Sequence, residues 1–281
     1  MAIQFNQVNF CYHKKNKYVL RNINLKIVEQ NQFIAVVGTI GSGKSTLVQL
    51  MNGLLTPSTG YLKVFKQNIF PNTSSKKLFL LKRQIGLVFQ FPEYQLFEIS
   101  VLKDVMFAPK NFGSNEVEAQ KKAIKALQQV NIDSSLFHCS PFSLSGGQQR
   151  KVAIAGILAM NPKVLILDEP TRGLDIKSQI DMMDILTKQY QEEQKTIILI
   201  THDIDLVAQY AHQVLLIDKG KILFFGSKEN FFQQNTTFVA PQTFKIMKLL
   251  SQKMQIPFKP HYSRTSLLKY LKKFLQSKKE S

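Results

Sequence analysis

The sequence predicts an α/β fold built on a parallel sheet, and three observations carry that prediction. Short apolar runs recur at Phe33–Val37, Ile85–Phe89, Val164–Leu167 and Thr196–Ile200, as strands covered on both faces require. Segments with helical spacing of apolar residues lie between them, the alternation of a β-α-β chain. The first run leads straight into Gly38-Thr39-Ile40-Gly41-Ser42-Gly43-Lys44-Ser45-Thr46, which reads G-x-x-x-x-G-K-S.

Strand, glycine loop and helix together make that stretch a phosphate-binding loop. Leu47, Leu50 and Met51 recur at helical spacing just after it. The glycines let backbone N–H groups turn inward around an anion. The helix start adds unpaired N–H groups and the positive end of its dipole. Lys44 brings a point charge to the β- and γ-phosphates, and the Ser45 hydroxyl is suited to ligate Mg²⁺.

The 281 residues suffice for one large domain with a smaller appendage. Their ordinary apolar content supplies a sizeable core. No apolar run approaches the roughly 18 residues of a membrane span. The N-terminus lacks a signal pattern, which points to the cytosol. Cys11 and Cys139 have no partner at metal-ligand spacing and read as free thiols of a reducing compartment. Net charge is +18, and residues 241–281 carry half of it, with ten basic side chains against one acidic. Such a surface suits nucleic acid, anionic lipid or an acidic protein, and equally a solvated lysine-rich exterior.

Taken in order, Ile3, Phe5 and Val8–Phe10 alternate with polar residues, and Val19–Ile27 alternates again. Two strands joined by a polar turn over His13–Lys17 are expected. Tyr12 at that turn is either edge packing or a ring on which an adenine stacks. The helix after the loop should stop near Asn52-Gly53. Pro57–Gly60 reads as a turn, Tyr61–Phe65 as a strand, and 76–83 as a short basic helix or loop. Ile85–Gln90 is a buried strand whose final Gln90 points toward a ligand crevice at the sheet's carboxyl edge. Phe91–Glu98 mixes aromatics with acids and cannot continue it. A helix is expected over Val101–Phe107, stopped by Pro109. Another is expected over Asn115–Val130, with Ser114 as N-cap and Val117, Ile124, Leu127 and Val130 inward. Residues from about 91 to 150 therefore read as a mostly helical insertion.

Leu144-Ser145-Gly146-Gly147-Gln148 opens the next helix, whose Val152, Ala155, Gly156, Ala159 and Met160 make a small, tight face. It is a second glycine element at a helix start, again suited to an anion. Val164–Leu167 runs into Asp168-Glu169-Pro170, which puts two adjacent acids in a crevice rather than a core. One carboxylate can hold magnesium through water, and the next can orient and deprotonate an attacking water. Thr171–Asp175 turns into a helix with Ile180, Met183 and Leu186 inward. Thr196–Ile200 ends on Thr201-His202-Asp203, where His202 can donate a hydrogen bond to a γ-phosphate. Asp218–Lys221 is a hairpin turn between Val214–Ile217 and Ile222–Phe225. Phe244, Met247, Leu250 and Met254 fit one helix begun near Pro241, and Pro257 and Pro260 break the chain after it. Leu267, Leu268, Leu271, Phe274 and Leu275 form an amphipathic helix with Lys269, Lys272, Lys273 and Lys279 opposite. That helix either docks on protein, the preferred reading, or lies on anionic lipid.

In this order and spacing the motifs resemble the ATP-binding subunits of ABC transporters, over residues 1 to about 230. The resemblance rests on Gly38–Thr46, Gln90, Leu144–Gln148, Val164–Asp168 with Glu169, Gly173-Leu174-Asp175 and His202. It implies a P-loop NTPase core of the RecA type with an antiparallel β subdomain. It also implies an inserted helical subdomain at about 91–150 and a C-terminal helical extension over 231–281 that serves in dimerisation. ATP and Mg²⁺ follow, with Ser45, Gln90 and Asp168 at the metal, Glu169 as catalytic base and His202 as γ-phosphate sensor. Tyr12 would stack on adenine, with Tyr18 as a competitor. Two subunits would meet head to tail, with Asp175 at the seam. Each ATP held at residues 38–46 would then be closed over by Ser145, Gly146, Gly147 and Gln148 of the opposite subunit. Arg172 departs from the family, which more often has a small residue there.

A narrower resemblance, carried by Gly38–Lys44, Phe89–Glu98 and Ala153–Met160, is to the energy-coupling factor ATPases, and to the second of their two paralogues. It implies a heterodimer with a paralogous ATPase, a membrane scaffold protein and interchangeable substrate-binding membrane proteins. The whole would import vitamins or other micronutrients, with this chain peripheral on the cytoplasmic side of the cell membrane. A groove beside Gln90, with Glu93 and Glu98, would receive basic coupling helices of the scaffold. The alternatives are the ATPase of another ABC transporter type, or a soluble ABC ATPase acting on nucleic acid or ribosomes. Against the latter stand the single ATPase unit and the lack of long coiled-coil segments.

Overall fold

The computed structural model describes residues 3–13, 17–27, 31–234, 240–254 and 256–277. Residues 14–16 of the expected polar turn, and Lys279, lie outside the described residues. The chain opens with β1 (Ile3–Phe10) and β2 (Leu20–Ile27), then runs through β3 (Phe33–Val37) into helix α1 (Lys44–Asn52). β4 (Thr59–Val64), β5 (Gln67–Ile69), α2 (Ser75–Gln84) and β6 (Ile85–Val88) follow. A 3₁₀ turn over Pro92–Gln95 leads to α3 (Val101–Asn111) and α4 (Glu116–Gln129). Next come α5 (Gly146–Leu158), β7 (Val164–Asp168), α6 (Ile176–Gln191), β8 (Thr196–Ile200) and α7 (Ile204–Tyr210). The hairpin β9 (Gln213–Asp218) and β10 (Lys221–Ser227) precedes α8 (Lys228–Gln234), α9 (Gln242–Met254) and α10 (Arg264–Ser277).

Two sheets result. One is antiparallel, in the order β2-β1-β4-β5; the other runs β10-β9-β3-β8-β7-β6 and is parallel except for the edge strand β10. The parallel strands are apolar throughout because both faces are covered. Ile34, Val36, Val164, Ile166, Ile198 and Ile200 join the antiparallel sheet and α1 in one core. Their alternate neighbours Leu165, Leu167, Ile197 and Leu199 join α3 to α6 in another. Each such side chain contributes roughly 1.5–3 kcal/mol by leaving water.

Several local expectations are corrected. Pro109 does not stop α3; it lies inside the helix, which ends two residues later. Pro109 gives up the single N–H bond to the carbonyl four residues back, and the helix continues only two residues past it. α4 is capped by Asn115, not Ser114, whose hydroxyl instead accepts from Lys122 Nζ at 2.7 Å. Its inward face is Ala119, Ala123, Ala126 and the expected Leu127, with Val130 buried and Ile124 packed against the core as expected, while Val117 is 61% exposed. Alanines let α4 approach α3 and α5 closely. On α6, Met182, Met183, Ile185 and Leu186 face inward and Ile180 does not. Residues 76–83 belong to a helix, and β5 is an additional short strand.

The last two helices share a small core of Met247, Ile256 and Leu267, with Leu250, Tyr270, Leu271 and Phe274 against it. Leu268 and Leu275 stay exposed, so the expected apolar face of α10 is only partly covered. Phe232 meets Phe244, the Lys228 ammonium lies over Tyr262, and Asp205 accepts from the Gln242 N–H, which ties α9 to the body. Among the described residues no helix is long and apolar enough to cross a membrane.

Candidate functional site

Neighbouring parallel strands bring distant motifs to one edge. In the order β3-β8-β7-β6, the carboxyl ends deliver the loop from Gly38, then His202, then Asp168 and Glu169, then Gln90. Four stretches spread over more than half the sequence thus share one crevice, where open α/β sheets take ligands.

The loop is shaped from within. Gly38 has φ 152°, and a Cβ there would stand 2.0 Å from the Ile217 carbonyl oxygen. Gly43, at φ 106°, caps α1 in the left-handed region, and Gly53 ends that helix at the expected place. The β9–β10 hairpin braces the loop: Gly220 N–H donates to Ser42 O, and Thr39 Oγ1 to Asp218 Oδ1 at 2.9 Å. Lys44 Nζ donates to the Gly38 and Thr39 carbonyls at 2.9 and 2.8 Å. Burial pushes the Lys44 ammonium below its ordinary value, while Glu169 and Asp168 pull it back up.

Ser45 Oγ donates to Asp168 Oδ2 at 2.8 Å, across 123 residues of sequence. Burial holds the Asp168 carboxyl above its usual range, against the Ser45 bond and the Lys44 charge. Glu169 adopts φ 51°, the left-handed region that non-glycine residues seldom enter. Its N–H donates to Ile200 O, and its Oε1 lies 2.8 Å from Nδ1 of His202. Strained backbone held on both sides is typical of functional positions.

Other expected residues are placed less tightly. Gln90 lies two residues beyond β6, without a hydrogen bond to Ser45 or Asp168 among the described residues. Tyr12 is 55% exposed, bonds Thr46 Oγ1 through its hydroxyl at 3.0 Å, and meets Phe10 edge-on. Tyr18 is also exposed. Ser145 caps α5 in a capping box with Gln148, and Gly146 is open, with nothing within 4 Å of a Cβ placed there. Asp175 caps α6, and its bonds from Ser178 hold its carboxyl below the usual range. An apolar groove of about 350 Å³ lies beside β6, lined by Leu54, Phe79, Leu87, Phe89, Phe107 and Phe112 among others.

Glu93 differs from its expected use. Rather than standing free for an incoming cation, its carboxylate takes both arms of Arg150, at 2.7 and 3.1 Å. Burial would raise that carboxyl, but the Arg150 hydrogen bond and charge outweigh it and hold it low. Glu98 is half-buried and lines a separate hollow with Phe107 and Asn111, two residues that also line the apolar groove. Arg150 and the bracing residues Asp218 and Gly220 are features that sequence reasoning missed. Only the position of Arg150, one turn into the glycine-started helix, hinted at it.

The donor set fits magnesium. Ser45 and Asp168 present hard oxygens beside a phosphate loop. No cluster of three or more His, Cys, Asp or Glu suited to an all-protein metal cage occurs among the described residues. A magnesium held chiefly by phosphate and water needs only this sparse set.

The chain is similar to known proteins over most of its length. The profile of the ABC transporter family matches residues 20–172. The energy-coupling factor transporter ATP-binding protein EcfA2 of Lactobacillus acidophilus is 47% identical over 235 residues, 83% of this chain and 82% of that protein. The EcfA2 of Streptococcus pyogenes serotype M5 is 48% identical over 237 residues, 83% and 84% of the two. Among solved structures, CbiO1 of Clostridium perfringens, part of the ABC transporter complex CbiONQ, superposes with TM-score 0.75 at 35% identity, over 90% of this chain and 95% of that one. The dimeric ATP-binding cassette MJ0796 bound to ADP and Pi gives 0.69 at 30% identity, over 80% and 98%. The chain belongs to the ABC transporter ATP-binding family, among the energy-coupling factor ATP-binding proteins.

Proposed function

We propose that this chain hydrolyses ATP to drive an energy-coupling factor importer of vitamins or other micronutrients. The observation that carries the reading is the pairing of Ser45 with Asp168 and of Glu169 with His202, both beside Lys44. Lys44 supplies the cation for the β- and γ-phosphates, and the loop N–H groups wrap them. Ser45 and Asp168, with Gln90, would hold Mg²⁺. When bound, that ion neutralises charge on the phosphate oxygens. Glu169 orients the attacking water and takes its proton. His202 fixes that carboxylate and senses the γ-phosphate. Tyr12 offers its face to the adenine.

The open Ser145-Gly146-Gly147-Gln148 start of α5 serves the ATP of an opposite subunit, with Asp175 at the seam. The dimeric cassette among the structural neighbours supports that arrangement. The partner is a paralogous ATPase. The apolar groove, with Glu98 in the hollow that shares Phe107 and Asn111 with it, receives coupling helices of a membrane scaffold that also holds the substrate-binding membrane proteins. This places the chain peripherally on the cytoplasmic side of the cell membrane. Residues 1–230 form the ATP-binding domain, about 91–150 its helical insertion, and 231–281 an extension used in dimerisation.

Affinity isolation of tagged Glu169→Gln chain with ATP from a detergent extract tests the reading. It should recover a second ATPase, a scaffold and small membrane proteins. Recovery of one large permease, or of nucleic acid, would contradict it.

A further inference from the structure

Arg150 lies in the interior of α5 and is only 3% exposed. A guanidinium cannot shed its charge, so each of its donors must find a partner. It finds them on two separate segments. Nε and Nη2 grip the Glu93 carboxylate at 3.1 and 2.7 Å. Nη1 donates to the carbonyls of Pro170 and Arg172, at 3.1 and 2.7 Å. The guanidinium also faces the Phe91 ring at 5.8 Å.

The three segments joined here are the ones that carry function. Phe91 and Glu93 directly follow Gln90. Pro170 follows Glu169, whose left-handed backbone depends on its neighbours, and Arg172 N–H closes that turn on Glu169 O. α5 begins with the open glycine element, one turn before Arg150. A buried ion pair alone is a poor source of stability, since an apolar pair of equal volume does as well. What an apolar pair cannot do is hold two backbone carbonyls and a carboxylate in one plane.

We propose that Arg150 is a positioning residue for ATP hydrolysis, locking the segment after Gln90 to the turn that aims Glu169 and to the start of α5. A shift of residues 91–95 is passed to the Pro170–Arg172 backbone through one rigid fork. Lysine at this position keeps the charge but reaches fewer partners at once.

The inference rests on the ATPase reading, and its test separates the two. The assembled complex is prepared as wild type, Arg150→Lys, the near-isosteric Glu93→Gln, and the double variant. Steady-state hydrolysis, nucleotide binding and thermal midpoint are measured for each. The single variants should lower kcat about tenfold, with KM and nucleotide affinity within about twofold. The double variant should be no worse than the poorer single, because both cut one connection. Folded, nucleotide-binding single variants with kcat within about twofold of wild type would overturn the inference, as would losses that multiply in the double. A wild-type complex that fails to hydrolyse ATP would instead refute the underlying reading.

Discussion

The chain has two glycine-rich helix starts, and they are finished differently. At Gly38–Ser45 the three glycines all lie at positive φ, a Cβ on Gly38 would strike the Ile217 backbone, and Lys44 is already engaged with loop carbonyls. At Ser145–Gln148 nothing inside this chain asks for a glycine at position 146. The backbone there is satisfied by its own capping box, and the surface is open. One start is a cradle completed by its own chain. The other is open to solvent, and in our proposal it is half of a site that another chain completes.

The largest test of this contrast lies at the acids of the first cradle. Glu169→Gln should slow hydrolysis by roughly 10³-fold while ATP still binds, as expected for loss of a general base. Phosphate release against filter-bound nucleotide would show it; near-normal turnover would remove Glu169 from that role. Next, Lys44→Ala should weaken ATP binding on the order of 100-fold, about 3 kcal/mol, by titration calorimetry. Unchanged affinity would mean that the first start is no more a phosphate site than the second.

A smaller effect separates the two starts by stability. Asp168 has its folded carboxyl above its unfolded value because it is buried. Its stabilising contribution is therefore fully present in acid and is lost as pH rises from the ordinary carboxylate range through the raised value. Asp168→Asn should raise the nucleotide-free midpoint at neutral pH and flatten its fall across that window. At the other start, Ser145→Ala should instead lower the midpoint, costing about 1 kcal/mol for the lost cap, and leave its pH dependence unchanged. Equal behaviour of the two variants would erase the contrast.

Much of this was legible in the sequence because the physics there is local. The parallel strands declare themselves as unbroken apolar runs, and Leu144–Gln148 declares itself as a glycine-rich helix start. Gly53 ends α1 where a left-handed residue is needed. What was hidden depends on partners far away in sequence. The fork of Arg150 spans 57 residues to Glu93, and its other partners are carbonyls, which leave no mark in the sequence. Glu93 therefore looked available when it was not. The alanine face of α4 was missed because small residues carry little hydrophobic signal, although they set how closely helices approach. Pro109 was read as a stop because an internal proline costs a helix bond, yet the packing of α3 carries the helix two residues past it.

On our proposal the second helix start completes a site on another chain. Gly146→Arg tests it most directly, because its own chain leaves room for a side chain there. In the Glu169→Gln background, association with the co-expressed paralogous ATPase is followed by sedimentation with and without ATP. ATP should drive association of the parent, and Gly146→Arg should abolish it while the nucleotide affinity of the single chain stays within about twofold. ATP-driven association that survives Gly146→Arg would contradict the account.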